Sequence, residues 1–184
     1  IFLANPNNPT GTIFTHNEII DFLTQVPKET FVVLDEAYNE YVSDKDFPDS
    51  LSILRQFENV IIIRSFSKIY GLAGLRVGYG IAKRSIIENF EKTRIPFTVS
   101  TISNYAALEA INDKEFVNDC VIKNAKEREF LTNGLTALGY NVIPSQSNFV
   151  FIYFPSAIER DKLYNTLFEN KIIVRKTDAF GDNH

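Results

Sequence analysis

Three short stretches of this chain combine residue types that could act on one ligand: Asn5 to Gly11, Asp35 to Tyr38, and Ser65 to Arg76. In the last, Lys68 stands among small hydroxyls and glycines and is followed by Arg76, in the order Ser65-Phe66-Ser67-Lys68-Ile69-Tyr70-Gly71-Leu72-Ala73-Gly74-Leu75-Arg76. Hydroxyls that donate and a guanidinium that offers a two-point fork suit a phosphate group. The Gly-x4-Gly-Lys order of a nucleotide-binding loop is missing. Asp35 follows the apolar run Phe31-Val32-Val33-Leu34. A carboxylate at a buried strand end is costly unless it meets donors or a cation, so Asp35 either caps a helix or faces a cationic group. Asn7-Asn8-Pro9-Thr10-Gly11 by itself is a turn, built from the usual turn residues. Lys68 by itself is a solvated loop lysine.

These groups meet only if the elements around them end at one edge. Ile1 to Leu3 reads as a strand that runs into the Asn-Pro segment. Thr15 and Glu18 form a capping box opening a helix to about Val26, with Ile19, Ile20, Phe22 and Leu23 as its apolar face. Phe31 to Leu34 and Val60 to Ile63 are continuous apolar runs, the pattern of strands covered on both faces. Arg76 to Ala82 alternates through Val77, Tyr79 and Ile81 as a further strand. Helical periodicity follows at Ile86, Ile87 and Phe90, then from Ser100 to Ile111, where Tyr105 reads as core or interface. A long helix runs from near Asp113 to a cap at Gly139. A strand (Asn148 to Phe154), a helix (Ser156 to Asn170, with Ser156 and Glu159 as its box) and a strand (Ile172 to Arg175) complete the order. The fold class is α/β, a mostly parallel sheet between helices plus part of a smaller C-terminal α/β unit. In such sheets ligands bind just beyond the carboxyl ends of the strands, where all three polar stretches fall.

The 184 residues are 45% hydrophobic and 23% charged, an ordinary globular balance that excludes disorder and low-complexity repeats. No apolar run approaches the ~20 residues of a bilayer span, and the first residues do not read as a signal peptide. Cys120 alone makes neither an internal disulfide nor a cysteine zinc site, which fits a reducing, cytoplasmic setting. His16 and His184 are too few for a metal centre. A net charge of -4 argues against nucleic-acid binding, so an anionic ligand must be held by individual cations. The chain opens at Ile1 and contains no Met, as expected of a processed chain or an internal window of a longer one.

A carboxylate, an amine and a phosphate-binding group at separate strand ends match the attachment points of pyridoxal phosphate: its pyridinium nitrogen, aldehyde carbon and phosphate. Asn5 to Gly11, Asp35-Glu36-Ala37-Tyr38, Ser65-Phe66-Ser67-Lys68 and Gly74-Leu75-Arg76-Val77-Gly78 together resemble the signature series of the fold-type I (class I/II) pyridoxal-phosphate-dependent aminotransferases. Within that family, Arg94 to Ser100 and Ser147 to Val150 most resemble the histidinol-phosphate aminotransferase branch. The threonine-phosphate decarboxylases share much of the pattern. The resemblance implies that Lys68 forms the Schiff base with the cofactor and then shuttles a proton at the substrate α-carbon. It further implies that Asp35 pairs with the pyridinium nitrogen and that Tyr38 and Asn8 bond the ring's phenolic oxygen. The phosphate falls to Ser65, Ser67 and Arg76. Arg175 sits where relatives carry an arginine facing the active site, a candidate for the substrate's anionic group. The bland alternative is a surface arginine at a strand end.

What the resemblance implies for the whole chain is an aminotransferase of amino-acid and keto-acid substrates. Histidinol phosphate and 2-oxoglutarate, giving imidazole-acetol phosphate and glutamate, are its leading pair. Residues 1–112 would belong to the large cofactor domain and 113–184 to the small C-terminal domain of a homodimer, with no nucleic-acid or membrane partner. The family's N-terminal half, with its ring-stacking aromatic, and its late carboxylate-clamping arginine have no counterpart in these residues. The chain therefore reads as a window on roughly half a subunit, incomplete for turnover by itself. Alternatives are an aminotransferase for another amino acid, a decarboxylase, a non-enzymatic ligand-sensing domain of a regulator, or a nucleotide-binding α/β domain.

Overall fold

The structure, a computed structural model, describes residues 1–180; residues 181–184, His184 included, lie outside the described residues. Strands β1 (Phe2–Ala4), β2 (Val32–Asp35) and β3 (Val60–Ser65) pair in parallel in that order, and β4 (Gly78–Ala82) adds antiparallel to β3. Ala4 lies opposite Asp35, and Asp35 opposite Ile63. The three parallel strands thus release their chains at one edge, the edge where an open sheet binds ligands.

One face of this sheet is sealed by α1 (His16–Gln25) and α2 (Ser50–Gln56). Ile19, Leu23 and Ile53 from the helices meet Val32, Leu34, Val60 and Ile62 in a single core cluster. Thr15 caps α1 through both bonds of the expected box. Helix α2 had no counterpart in the sequence reading; Asp49 caps it through Ser52 N–H, and Ile53 with Leu54 turn inward. Val60, Ile61 and Ile62 are buried in succession, as their continuous apolar run requires, whereas in β2 Val33 is only half-buried.

The last parallel strand turns back through a 3-10 turn, Ala73–Leu75, and Arg76 at φ 50°. A left-handed residue cannot join an extended ladder, so β4 begins at Gly78 rather than at Arg76. Next come α3 (Arg84–Thr93), α4 (Thr101–Asn112) and the long α5 (Lys114–Ala137). Ser103 Oγ donates to Leu75 O at 2.8 Å, docking α4 on the 3-10 turn. Tyr105, at 68% exposure, is not core; Ser103 and Ala107 take the inward face of α4. Helix α5 closes at Gly139, whose N–H donates to Thr136 O while Tyr140 N–H reaches Leu135 O.

Two strands then pair antiparallel, β5 (Asn141–Ile143) with β6 (Phe151–Tyr153), and α6 (Ala157–Glu169) follows with Ser156 as its cap. Strand β5 was missed, and β6 is shorter than the expected 148–154 because Asn141 to Ile143 offers it a ladder of only that length. Ile172 to Arg175 is not a strand. It finds no ladder partner among the described residues, and Ile173 stands 86% exposed. High strand propensity without a neighbour leaves the backbone to water.

The segment from Ser145 to Phe149 folds back over the first half. Gln146 N–H donates to Gly11 O at 2.8 Å, and its side-chain oxygen accepts from Ser43 N–H at 3.0 Å. Gly11 has φ 76°, and a Cβ there would lie 2.7 Å from Ser145 Cβ. Gly11→Ala combines left-handed strain of about 1–2 kcal/mol with overpacking of about 1–3 kcal/mol. Denaturant unfolding of the full-length protein is expected to register a loss of about 2–5 kcal/mol; under about 1 kcal/mol would mean that the Ser145 loop yields freely.

Candidate functional site

The carboxyl edge of the sheet is where the three polar stretches converge. After β1, Asn5 staples the Asn-Pro loop by exchanging side-chain bonds with Phe14, donating to its carbonyl at 3.0 Å and accepting from its N–H at 2.8 Å. The Asn5–Pro6 bond is cis. Gly11 N–H closes the turn on Asn7 O at 2.7 Å, leaving Asn8 at its tip. Asn8 Nδ2 donates to the Tyr38 hydroxyl at 3.1 Å, so the first stretch touches the second.

Asp35 ends β2 half-buried, and its Oδ1 accepts from Ala37 N–H at 3.0 Å. Among the described residues its other oxygen accepts no hydrogen bond. Tyr38 is buried, edge-on to Phe149 with ring centroids 5.3 Å apart. Lys68 Nζ lies over the Tyr38 ring, 4.9 Å from its centroid, and among the described residues has no carboxylate partner. The third stretch therefore meets the second as well.

After β3, Ser65 Oγ accepts from Ser67 N–H at 3.0 Å, shaping the loop that carries Lys68. Arg76 Nη1 donates to Ala73 O at 2.9 Å and reaches Ser67 Oγ at 3.5 Å, and no carboxylate neutralises it among the described residues. Among the described residues, an uncompensated guanidinium beside Ser67, an uncompensated amine and a carboxylate with one open oxygen form a donor set with three separate demands: an anion, a carbonyl carbon and a cation. That set fits the phosphate, aldehyde and ring nitrogen of pyridoxal phosphate. Arg175 is not drawn into this cluster; it is exposed, with its guanidinium 5.3 Å from the Phe180 ring centroid.

Sequence reasoning missed the buried charges beneath the site. Glu36 is 1% exposed; its Oε2 accepts from Arg64 Nε at 3.0 Å and Nη2 at 2.8 Å, and Ser50 Oγ donates to its Oε1. Burial pushes the Glu36 carboxyl above the usual carboxylate range, and neighbouring Asp35 adds to this against the pull of Ser50 and Arg64. Burial lowers the Arg64 guanidinium, but Glu36 and Tyr79 beside it leave it raised. Glu40 is likewise raised by burial, and it accepts from the Tyr70 hydroxyl. Burial and the Glu40 carboxylate together push Tyr70 up to about 12. Tyr41, bonded to Asn148, is pushed up to about 12 mainly by burial. One signal did exist. Adjacent strand-end residues point to opposite faces, so of Asp35 and Glu36 one had to enter the protein, and Arg64 was the cation at the neighbouring strand's end.

The family described as "Aminotransferase class I and II" matches residues 1–182. The histidinol-phosphate aminotransferase of Anaeromyxobacter sp. is 45% identical over 181 residues, 98% of this chain and 50% of that protein. That of Bacillus velezensis is 46% identical over the same span, again covering 50% of the relative. The histidinol-phosphate aminotransferase of Sinorhizobium meliloti, solved in complex with pyridoxal-5'-phosphate, superposes with a TM-score of 0.87 at 32% identity, covering 95% of this chain and 48% of that one. The chain spans about half the length of the curated relatives it matches. Among the described residues no helix is long and apolar enough to cross a membrane.

Proposed function

Because the chain belongs to the class I and II aminotransferase family, we propose that it carries the cofactor-holding residues of a pyridoxal-phosphate enzyme moving the amino group of histidinol phosphate to 2-oxoglutarate. The reading rests on one observation above others: among the described residues, a lysine amine without a carboxylate partner lies over a buried tyrosine, at the sheet edge that also carries an aspartate with one open oxygen and an uncompensated arginine. The 45% identity to a histidinol-phosphate aminotransferase supports the choice of substrate.

When bound, pyridoxal phosphate supplies an electron sink that protein side chains lack. Lys68 Nζ holds the cofactor's aldehyde carbon and, once displaced by substrate, carries a proton to and from the α-carbon. Asp35 presents its open oxygen to the ring nitrogen and keeps a proton there. Tyr38 and Asn8, already bonded to each other, offer a hydroxyl and an amide to the ring oxygen. Ser65, Ser67 and Arg76 receive the phosphate. Arg175 remains a candidate for the substrate's own anionic group. The large-domain assignment of residues 1–112 and the small-domain assignment of 113–184 belong to the same proposal, as do a homodimeric assembly and a cytoplasmic location.

Purified full-length protein, given 2-oxoglutarate, is expected to use histidinol phosphate at least ~10²-fold better in kcat/KM than phenylalanine. Release of carbon dioxide from threonine phosphate would replace this reading with a decarboxylase. Cofactor binding without turnover of any amino donor would replace it with a ligand sensor.

A further inference from the structure

The end of β2 and the stretch that leaves β3 each carry a proposed cofactor contact, Asp35 on one and Ser65 to Lys68 on the other. Between them runs an ionic bond from a half-buried arginine to a buried glutamate. Glu36 follows Asp35 directly, Arg64 precedes Ser65 directly, and two guanidinium contacts of Arg64, at 3.0 and 2.8 Å, fall on the Glu36 carboxylate, with Tyr79 bonded beside them. We propose that Glu36 and Arg64 are positioning residues, a brace that sets the spacing between the Asp35 carboxylate and the Lys68 amine. The proposal rests on the reading of Asp35 and Lys68 as cofactor contacts.

The backbone already joins these segments, since Glu36 N–H donates to Ile63 O at 2.9 Å. That bond fixes the strand end but leaves each side chain free to pivot about its own Cα. The side-chain fork removes the freedom. A planar guanidinium meeting one carboxylate oxygen through two nitrogens defines direction as well as distance. The other oxygen of Glu36 is occupied by Ser50 at the start of α2, so the carboxylate cannot rotate away. On the Arg64 side, a Cβ on Gly78 would come within 2.7 Å of Arg64 O, so only a glycine lets β4 lie this close behind it. Among the described residues, the titratable groups that face the pair are Asp35, Glu40, Tyr70 and Tyr79.

A buried ion pair is weak support for stability, because the desolvation of both ions offsets most of their attraction. A brace that served only the fold would be replaceable by apolar packing. Its place, one residue from a proposed cofactor contact on each strand, is what a positioning role requires.

The test uses the full-length protein with added pyridoxal phosphate and reads cofactor dissociation, kcat and KM separately, and thermal unfolding. Glu36→Gln keeps the shape and the Ser50 bond but removes the charge. Arg64→Lys keeps the charge but removes the fork, and it decides the matter if the glutamine variant does not fold. Ile53→Val, in the α2 core and outside the ion pair, is the structural control. The expected result is cofactor dissociation at least tenfold weaker and kcat at least tenfold lower in Glu36→Gln or Arg64→Lys, with KM within threefold of the wild type. Ile53→Val is expected to lower the unfolding temperature while leaving cofactor dissociation within threefold. Wild-type cofactor affinity and kcat in a folded Glu36→Gln or Arg64→Lys variant would overturn the brace. Failure of the wild-type protein to bind pyridoxal phosphate at Lys68 would instead overturn the cofactor reading on which the brace depends.

Discussion

Lys68→Ala in the full-length protein is expected to abolish borohydride-trapped attachment of pyridoxal phosphate and to lower transamination by about 10³–10⁴-fold. The size follows from the two tasks given to one amine, holding the aldehyde carbon and moving the α-proton. No second amine can take over, because no other lysine is drawn into the cluster of Asn8, Asp35, Tyr38 and Arg76 among the described residues. Lys68 is exposed and its amine touches the Tyr38 ring, so unfolding should shift by no more than about 0.5 kcal/mol. Mass mapping of the reduced adduct in the wild type should place it on the peptide containing Lys68. An adduct on another lysine, or undiminished turnover by the alanine variant, would remove Lys68 from the mechanism.

Asp35→Asn is expected to weaken cofactor retention by about 10–100-fold, the worth of a charge-assisted hydrogen bond of about 1.5–3 kcal/mol. Turnover should fall by about 10²-fold or more, since a neutral amide cannot keep a proton on the ring nitrogen and the ring then accepts electrons poorly. The substitution is nearly isosteric, and the asparagine oxygen still accepts from Ala37 N–H, so the turn after β2 is preserved. Equilibrium dialysis of the cofactor and steady-state rates on histidinol phosphate separate the two effects. Full activity in the asparagine variant would show that the ring nitrogen is served by another group.

Much of this site was legible because its parts lie at strand ends, where hydrophobic runs stop abruptly. Leu34 to Asp35 and Ile63 to Ser65 mark such stops, and parallel pairing brings them to one edge. Two capping residues were equally clear: Thr15 and Ser156 each take the N–H three residues on, as their spacing predicts. What stayed hidden depended on partners remote in sequence. Phe149 reads as a strand residue until its ring is found edge-on to Tyr38. Glu36 and Arg64 show no sign of each other in the sequence, where 28 residues separate them, until the fold closes them into one partly buried contact. Ile172 to Arg175 erred in the opposite direction. Its β-branched run is locally convincing, but a strand exists only beside another strand, and none lies next to it among the described residues.

The return of Gln146 to Gly11 has a consequence for how the protein is made. The Asn8 turn leaves the ribosome long before its support does, because Gln146 follows Gly11 in the chain by 135 residues. At about 5–20 residues per second, the turn waits roughly 7–27 s for that contact. During this interval β1, β2 and β3 can already pair, since their contacts are closer in sequence. The ligand-binding edge therefore matures after the sheet that carries it. A nascent chain stalled within α5 presents a formed sheet with an unsupported Asn8 turn and an uncovered Tyr38.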